Sequence, residues 1–149
     1  YYAGDVRRIN HFLKVYGFAK AIGEMEGLDE STQEIIEIAA LTHDIGIKNS
    51  EKKYNSSAGN YQQIEGPPEA KKLLAELGIE SGVIDRVCWL IAHHHTYTDI
   101  QGIDYQILVE ADFLVNFYED DMSIDSVHSA GGKMFKTLSG KAILNAIYS

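Results

Sequence analysis

Ile35-Ile36-Glu37-Ile38-Ala39-Ala40-Leu41-Thr42-His43-Asp44-Ile45-Gly46 is the stretch that decides the fold of this chain. Apolar residues run at helical density as far as Leu41. An imidazole and a carboxylate then stand at the end of the run. Ionisable side chains at the end of a buried helix are costly unless something neutralises them. A divalent metal ion suits the task, because imidazole and carboxylate are two of its standard ligands. Other candidate ligands lie elsewhere in the chain: His11 upstream, then Glu65, the run His93-His94-His95, and Asp112.

Helical periodicity extends on both sides of this stretch, and strand signal is slight. The spacing predicts a first helix from Val6 to Met25, with Asp5 as its cap and Gly27 after its end. Ser31-Thr32-Gln33-Glu34 has the form of a capping box, which opens the second helix. A polar stretch from Lys48 to Gln63 follows; a connection of that length inside one domain is usually functional or mobile. Pro67-Pro68 suits the first turn of a third helix that ends before Gly78. Ser81 is placed to cap a fourth helix, which runs into the three histidines. A fifth covers Tyr105 to Tyr118 and carries Asp112. Shorter helices complete the chain, with Gly131-Gly132 as a break and Ser139 as a cap. The expected architecture is all-α, a single-domain bundle of six to seven helices over residues 1–149, with no internal repeat or linker.

The bulk numbers restrict the function. A chain of 149 residues, 45% hydrophobic and 23% charged, buries a sizeable core as one domain. A net charge of −9 without a Lys/Arg block argues against duplex nucleic acid as a partner. It leaves room for a small phosphorylated ligand held at a metal. The single cysteine, Cys88, forms no internal disulfide and reads as a small buried hydrophobe. No apolar run reaches the ~18 residues of a membrane span, and no signal peptide is visible. A cytoplasmic setting is the expectation. Exposed aromatic residues near the C-terminus would suit a helix-to-helix homodimer.

His11, His43, Asp44 and Asp112 offer two nitrogens and two oxygens. His43 and Asp44 are neighbours, so on a regular helix their side chains diverge by ~100°. At a helix end the backbone can relax and turn both towards one ion, with the carboxylate free to bridge to a second. Asp112 lies within Leu108-Val109-Glu110-Ala111-Asp112-Phe113-Leu114-Val115, where a carboxylate needs a partner. Such a donor set suits Mn²⁺, Fe²⁺, Ni²⁺, Co²⁺ or Zn²⁺, and no thiolate site is available.

In this order and helical context, His11…His43-Asp44…Asp112 resembles the HD-domain metal-dependent phosphohydrolase superfamily over roughly residues 5 to 120. Ile9-Asn10-His11, Leu41-Thr42-His43-Asp44-Ile45-Gly46 and Glu110-Ala111-Asp112 carry the likeness. The resemblance implies an all-α fold, a metal bound by His11, His43, Asp44 and Asp112, and a water activated against a phosphate ester, with Asp44 at the catalytic centre. Two-metal members add ligands between the doublet and the last aspartate. Aligned on them, Glu65 falls where a histidine is expected, either as a ligand to a second metal or as the general base. The next ligands fall in the triple histidine, with His94 and His95 favoured. The Gly-Tyr-Pro element of the cyclic-dinucleotide phosphodiesterases is absent. Lys48, four residues after Asp44, resembles a lysine that approaches the scissile phosphate in some members, though Ile47 displaces it by one position. Lys52, Lys53, Tyr54 and Tyr61 would form a lid over substrate phosphate or a base. The expected reaction is hydrolysis of a phosphomonoester or phosphodiester of a nucleotide or small metabolite, with one or two metal ions. A di-iron oxygenase on the same fold, and a regulatory module with a structural metal, are the alternatives.

Overall fold

Asp5 opens the first helix as its sequence predicts, its carboxylate accepting a hydrogen bond from the Arg8 N–H at 3.1 Å. In the computed structural model, which describes residues 1–149, the chain forms eight helices. They are α1 (Val6–Glu26), α2 (Glu30–Thr42), α3 (Ile47–Tyr54), α4 (Gly59–Glu76), α5 (Ser81–His93), α6 (Ile103–Glu119), α7 (Ile124–Met134) and α8 (Leu138–Ile147). The all-α expectation holds.

α6 is the axis of the bundle. Twelve of its 17 residues are buried, among them Tyr105, Leu108, Leu114 and Phe117. A helix apolar on every side has to be surrounded, and α6 packs against α1, α2, α7 and α8. α5 lies against α2 and α4, and α3 lies against α4. Asp112 is therefore delivered to the middle of the bundle, opposite α1 and α2.

Local signals differ from expectation in six places. α2 is capped by Asp29, which accepts from the Thr32 N–H at 2.7 Å, rather than by the Ser31 box. The polar stretch 48–63 is largely helical, comprising most of α3 and the start of α4; α3 buries only Ile47 and Ser50, so its periodicity is faint. Pro67 and Pro68 stand inside α4 rather than at its first turn. An interior proline costs about 3 kcal/mol, and packing of the preceding turns offsets it, since Gln62, Glu65 and Gly66 are buried there. Gly131 and Gly132 fall within α7. Finally, α5 begins after Glu80 without a side-chain cap, and α8 is capped by Thr137; Ser139 bonds Glu26 instead.

One close approach matters for the site. A Cβ on Gly46 would come within 2.6 Å of the Gln62 carbonyl oxygen and 2.7 Å of the Gly66 nitrogen. The turn after Asp44 thus meets α4 backbone to backbone, which draws Gln62 and Glu65 towards the His43-Asp44 end of α2. No helix is long and apolar enough to cross a membrane.

Candidate metal centre

His43 is the C-cap of α2 and His94 the C-cap of α5. The last carbonyls of a helix lack intrahelical partners. Each of these histidines uses one: His43 Nδ1 donates to the Ala40 oxygen at 2.8 Å, and His94 Nδ1 to the Ile91 oxygen at 2.8 Å. A carbonyl only accepts, so Nδ1 carries the proton and Nε2 presents a lone pair in the neutral ring. His11 sits mid-helix in α1, and its Nδ1 donates to Glu119 Oε1 at 2.7 Å. All three rings turn Nε2 inward.

The inward atoms converge. His11 Nε2 is 3.3 Å from His43 Nε2, from Asp44 Oδ2 and from Asp112 Oδ1. His43 Nε2 lies 3.3 Å from Asp44 Oδ2 and 3.4 Å from Asp112 Oδ1. Metal–ligand bonds of about 2.0–2.1 Å place neighbouring donors about 3.0–3.4 Å apart, so the set fits a first-row divalent ion. His11, His43, Asp44 and Asp112 are all buried. The second carboxylate oxygen of Asp44 faces the other way: Oδ1 is 3.2 Å from His94 Nε2 and 3.8 Å from His95 Nε2. Two groups able to hold a metal result, His11/His43/Asp44 and Asp44/His94/His95, with Asp44 common to both.

A family model for the HD domain matches residues 8–127. The chain belongs to the HD-domain family. No curated protein and no solved structure matches it significantly.

The electrostatics of this HD domain follow from its donor set. Burial alone would lower His11, but its hydrogen bonds to Asp112 and Asp44 prevail and hold it up at about 10. His43 is raised as well: burial opposes, and the charges of Asp44 and Asp112 outweigh it. Burial pushes Asp44 and Asp112 upwards, yet the facing imidazoles hold both well below the usual carboxylate range. His95 is pushed down to about 4 by burial and by the neighbouring His94. Without an ion, protons on His11 and His43 balance the carboxylates, and a metal must displace them. The apparent metal affinity is therefore expected to rise with pH, about tenfold per unit for each proton displaced. Calorimetric titration at pH 6 to 8, in buffers of different ionisation enthalpy, counts those protons; a flat profile would contradict the charge balance. The metal-free fold behaves oppositely. Its stabilisation through His11 is complete below the ordinary value of 6.5 and fades as pH rises through about 10.

Other sequence candidates lie elsewhere. His93 stacks on Trp89, 4.0 Å between ring centroids, on the outside of α5. Glu65 is buried but belongs to neither group; Lys53 Nζ binds both its oxygens, at 3.0 and 2.8 Å, and the Tyr54 hydroxyl donates to Oε1 at 3.0 Å. Lys48 is exposed and reaches the Tyr1 carbonyl at 3.1 Å rather than the centre. Three residues outside the sequence reading attach to the HD site. They are Glu119 behind His11, Asn116, which donates to Asp112 Oδ1 at 3.1 Å, and Gln62, paired with His95 Nε2 at 3.0 Å. Asp112, Asn116 and Glu119 follow the i, i+4, i+7 spacing of one helix face. That spacing is the signal from which the last two were recoverable.

Proposed function

We propose that this HD domain is a metal-dependent phosphohydrolase that cleaves a phosphomonoester or phosphodiester of a nucleotide or similar small metabolite. The observation that carries the reading is the division of Asp44, with Oδ2 towards His11 and His43 and Oδ1 towards His94 and His95. On this reading His11, His43, Asp44 and Asp112 hold one ion, and Asp44, His94 and His95 a second. Divalent ions held there would supply polarisation of a phosphoryl oxygen, acidification of a water and charge neutralisation.

The protein supplies the surroundings. A cleft of about 340 Å³ is lined by His11 and Asp44 together with Arg7, Arg8, Ser57 and Asn116. Arg8 is committed to Asp5 and Glu51. Arg7 makes no side-chain hydrogen bond or ion pair and offers its guanidinium to an anion at the rim. His11, His43 and His94, each fixed through Nδ1, hold their donor atoms without reorganisation when substrate arrives, whereas His95 Nε2 would have to leave Gln62 Oε1 to join them.

Protein loaded separately with Mn²⁺, Co²⁺, Zn²⁺ or Fe²⁺ is to be assayed for phosphate release from nucleoside monophosphates, sugar phosphates and a chromogenic phosphodiester. Turnover that vanishes with chelator and returns with metal is the expected result. Oxygen uptake by the iron form, without phosphate release, would replace hydrolysis by an oxygenase reaction at the same donors. Metal binding with neither activity would leave a regulatory module.

A further inference from the structure

Three of the inward-facing histidines are fixed through Nδ1, and they are not held alike. His43 and His94 close their own helices and each finds a free carbonyl three residues back, so local backbone sets their tautomers. His11 lies within α1, and its Nδ1 turns away from the α1 backbone. Its Nδ1 is met by a carboxylate 108 positions away in sequence, at the far end of α6. Glu119 approaches at 2.7 Å, with its side chain 13% exposed. The same Oε1 lies 3.4 Å from Lys14 Nζ, one turn along α1. Asn116 stands between Glu119 and Asp112 on the same face of α6 and bonds Asp112 Oδ1.

We propose that Glu119 is the positioning residue for His11, fixing the Nδ1–H tautomer and strengthening Nε2 as a donor to a divalent ion. Physically, an imidazole with one proton has one lone pair, and only a partner on Nδ1 keeps that lone pair on Nε2. A carboxylate makes a charge-assisted bond, which makes the ring a better donor than a carbonyl does. α6 thus supplies the site twice, with Asp112 as a donor and with Glu119 as the anchor of a donor on another helix. The inference rests on the metal-centre part of the proposed function and is independent of the reaction catalysed there.

The test compares wild type with Glu119→Ala and Glu119→Gln, using Zn²⁺ competed against a chromophoric chelator. Nitrogen-resolved NMR of the histidine rings in the zinc-loaded proteins is the second readout. Glu119→Ala is expected to weaken Zn²⁺ binding about 10- to 100-fold and to lose the slowly exchanging Nδ1–H signal of His11. Glu119→Gln keeps an acceptor oxygen at that place and is expected to recover the signal and most of the affinity. Far-UV circular dichroism confirms that each variant is folded. Zn²⁺ affinity within twofold of wild type in Glu119→Ala, with the His11 signal retained, would overturn this inference alone. It would leave Glu119 as a surface partner of Lys14. A wild type that binds no Zn²⁺ would overturn the inference and the metal centre together.

Discussion

Asp44→Ala is expected to empty both halves of the metal centre. No other residue belongs to both donor groups, since Oδ2 faces His11 and His43 while Oδ1 faces His94 and His95. Removing it takes one donor from each group and leaves His11 and His43 with Asp112 as their one remaining inward-facing anion. Elemental analysis should find transition metal in the wild type and little or none in the variant. Under the proposed phosphohydrolase reading, phosphate release should fall on the order of 10³-fold, the equivalent of several kcal/mol of transition-state stabilisation. The companion Asp44→Asn keeps the side-chain shape and removes the charge. It is expected to fold, to bind metal poorly and to lose the pH dependence of uptake in part. Equal metal content in all three proteins would place the ion away from Asp44 and sink the assignment.

Glu110→Ala should produce the opposite pattern, a large loss of stability with little change in metal affinity. Glu110 is fully buried, two residues before Asp112, and faces α8 rather than the centre. Its Oε1 accepts from the Thr137 hydroxyl at 2.7 Å. Its Oε2 accepts from Gln106 Nε2 at 2.6 Å and from the Lys136 and Thr137 backbone N–H groups at 3.2 Å each. Gly140 has no space for a side chain beside that carboxylate. Alanine would orphan these donors at about 1–3 kcal/mol apiece, partly relieved by entering water, for a net loss of about 3–5 kcal/mol. For a chain of this size the melting temperature should drop by roughly 10 °C. Glu110→Gln retains one acceptor but turns an amide N–H₂ on backbone donors, so an intermediate loss is expected. A melting temperature within 2–3 °C of wild type in Glu110→Ala would show that the α6–α8 junction does not depend on this carboxylate. The two variants together separate what would hold the ion from what holds the bundle.

The all-α fold and the candidate ligands that cluster at its centre were legible in the sequence because each rests on local information. Amphipathic spacing marks α1, α2 and α5, and a largely apolar run marks α6. An ionisable pair at the end of an apolar run, or an aspartate inside one, is visible without a structure because its burial cost is attached to its immediate neighbours. His11, His43, Asp44 and Asp112 are such residues, and the structure brings them within 3.4 Å in the contacts measured among them. The capping and proline signals were weaker guides. Pro67 and Pro68 favour a helix start locally, yet the buried turn before them fixes a helix regardless.

Only the tertiary structure could decide which partner each ionisable group takes. The three consecutive histidines are chemically equivalent in sequence. The end of α5 turns His94 and His95 inward and leaves His93 stacked on Trp89. Glu65 reads as a free carboxylate in sequence, but α3 brings Lys53 and Tyr54 onto it. Lys48 reads as close to the doublet, but the helical turn that begins at Ile47 carries it to Tyr1. Glu119 gains its role from a contact across 108 positions. The sequence by itself determined a helical chain of the HD type with ionisable residues that a metal would neutralise, because helix periodicity and burial cost are local. Which carboxylate faces both groups of candidate ligands, which imidazole faces inward and which anion stands behind His11 were decided by tertiary structure. Those are pairings between side chains a few ångströms apart, and only the packing of α1, α2, α5 and α6 sets such distances.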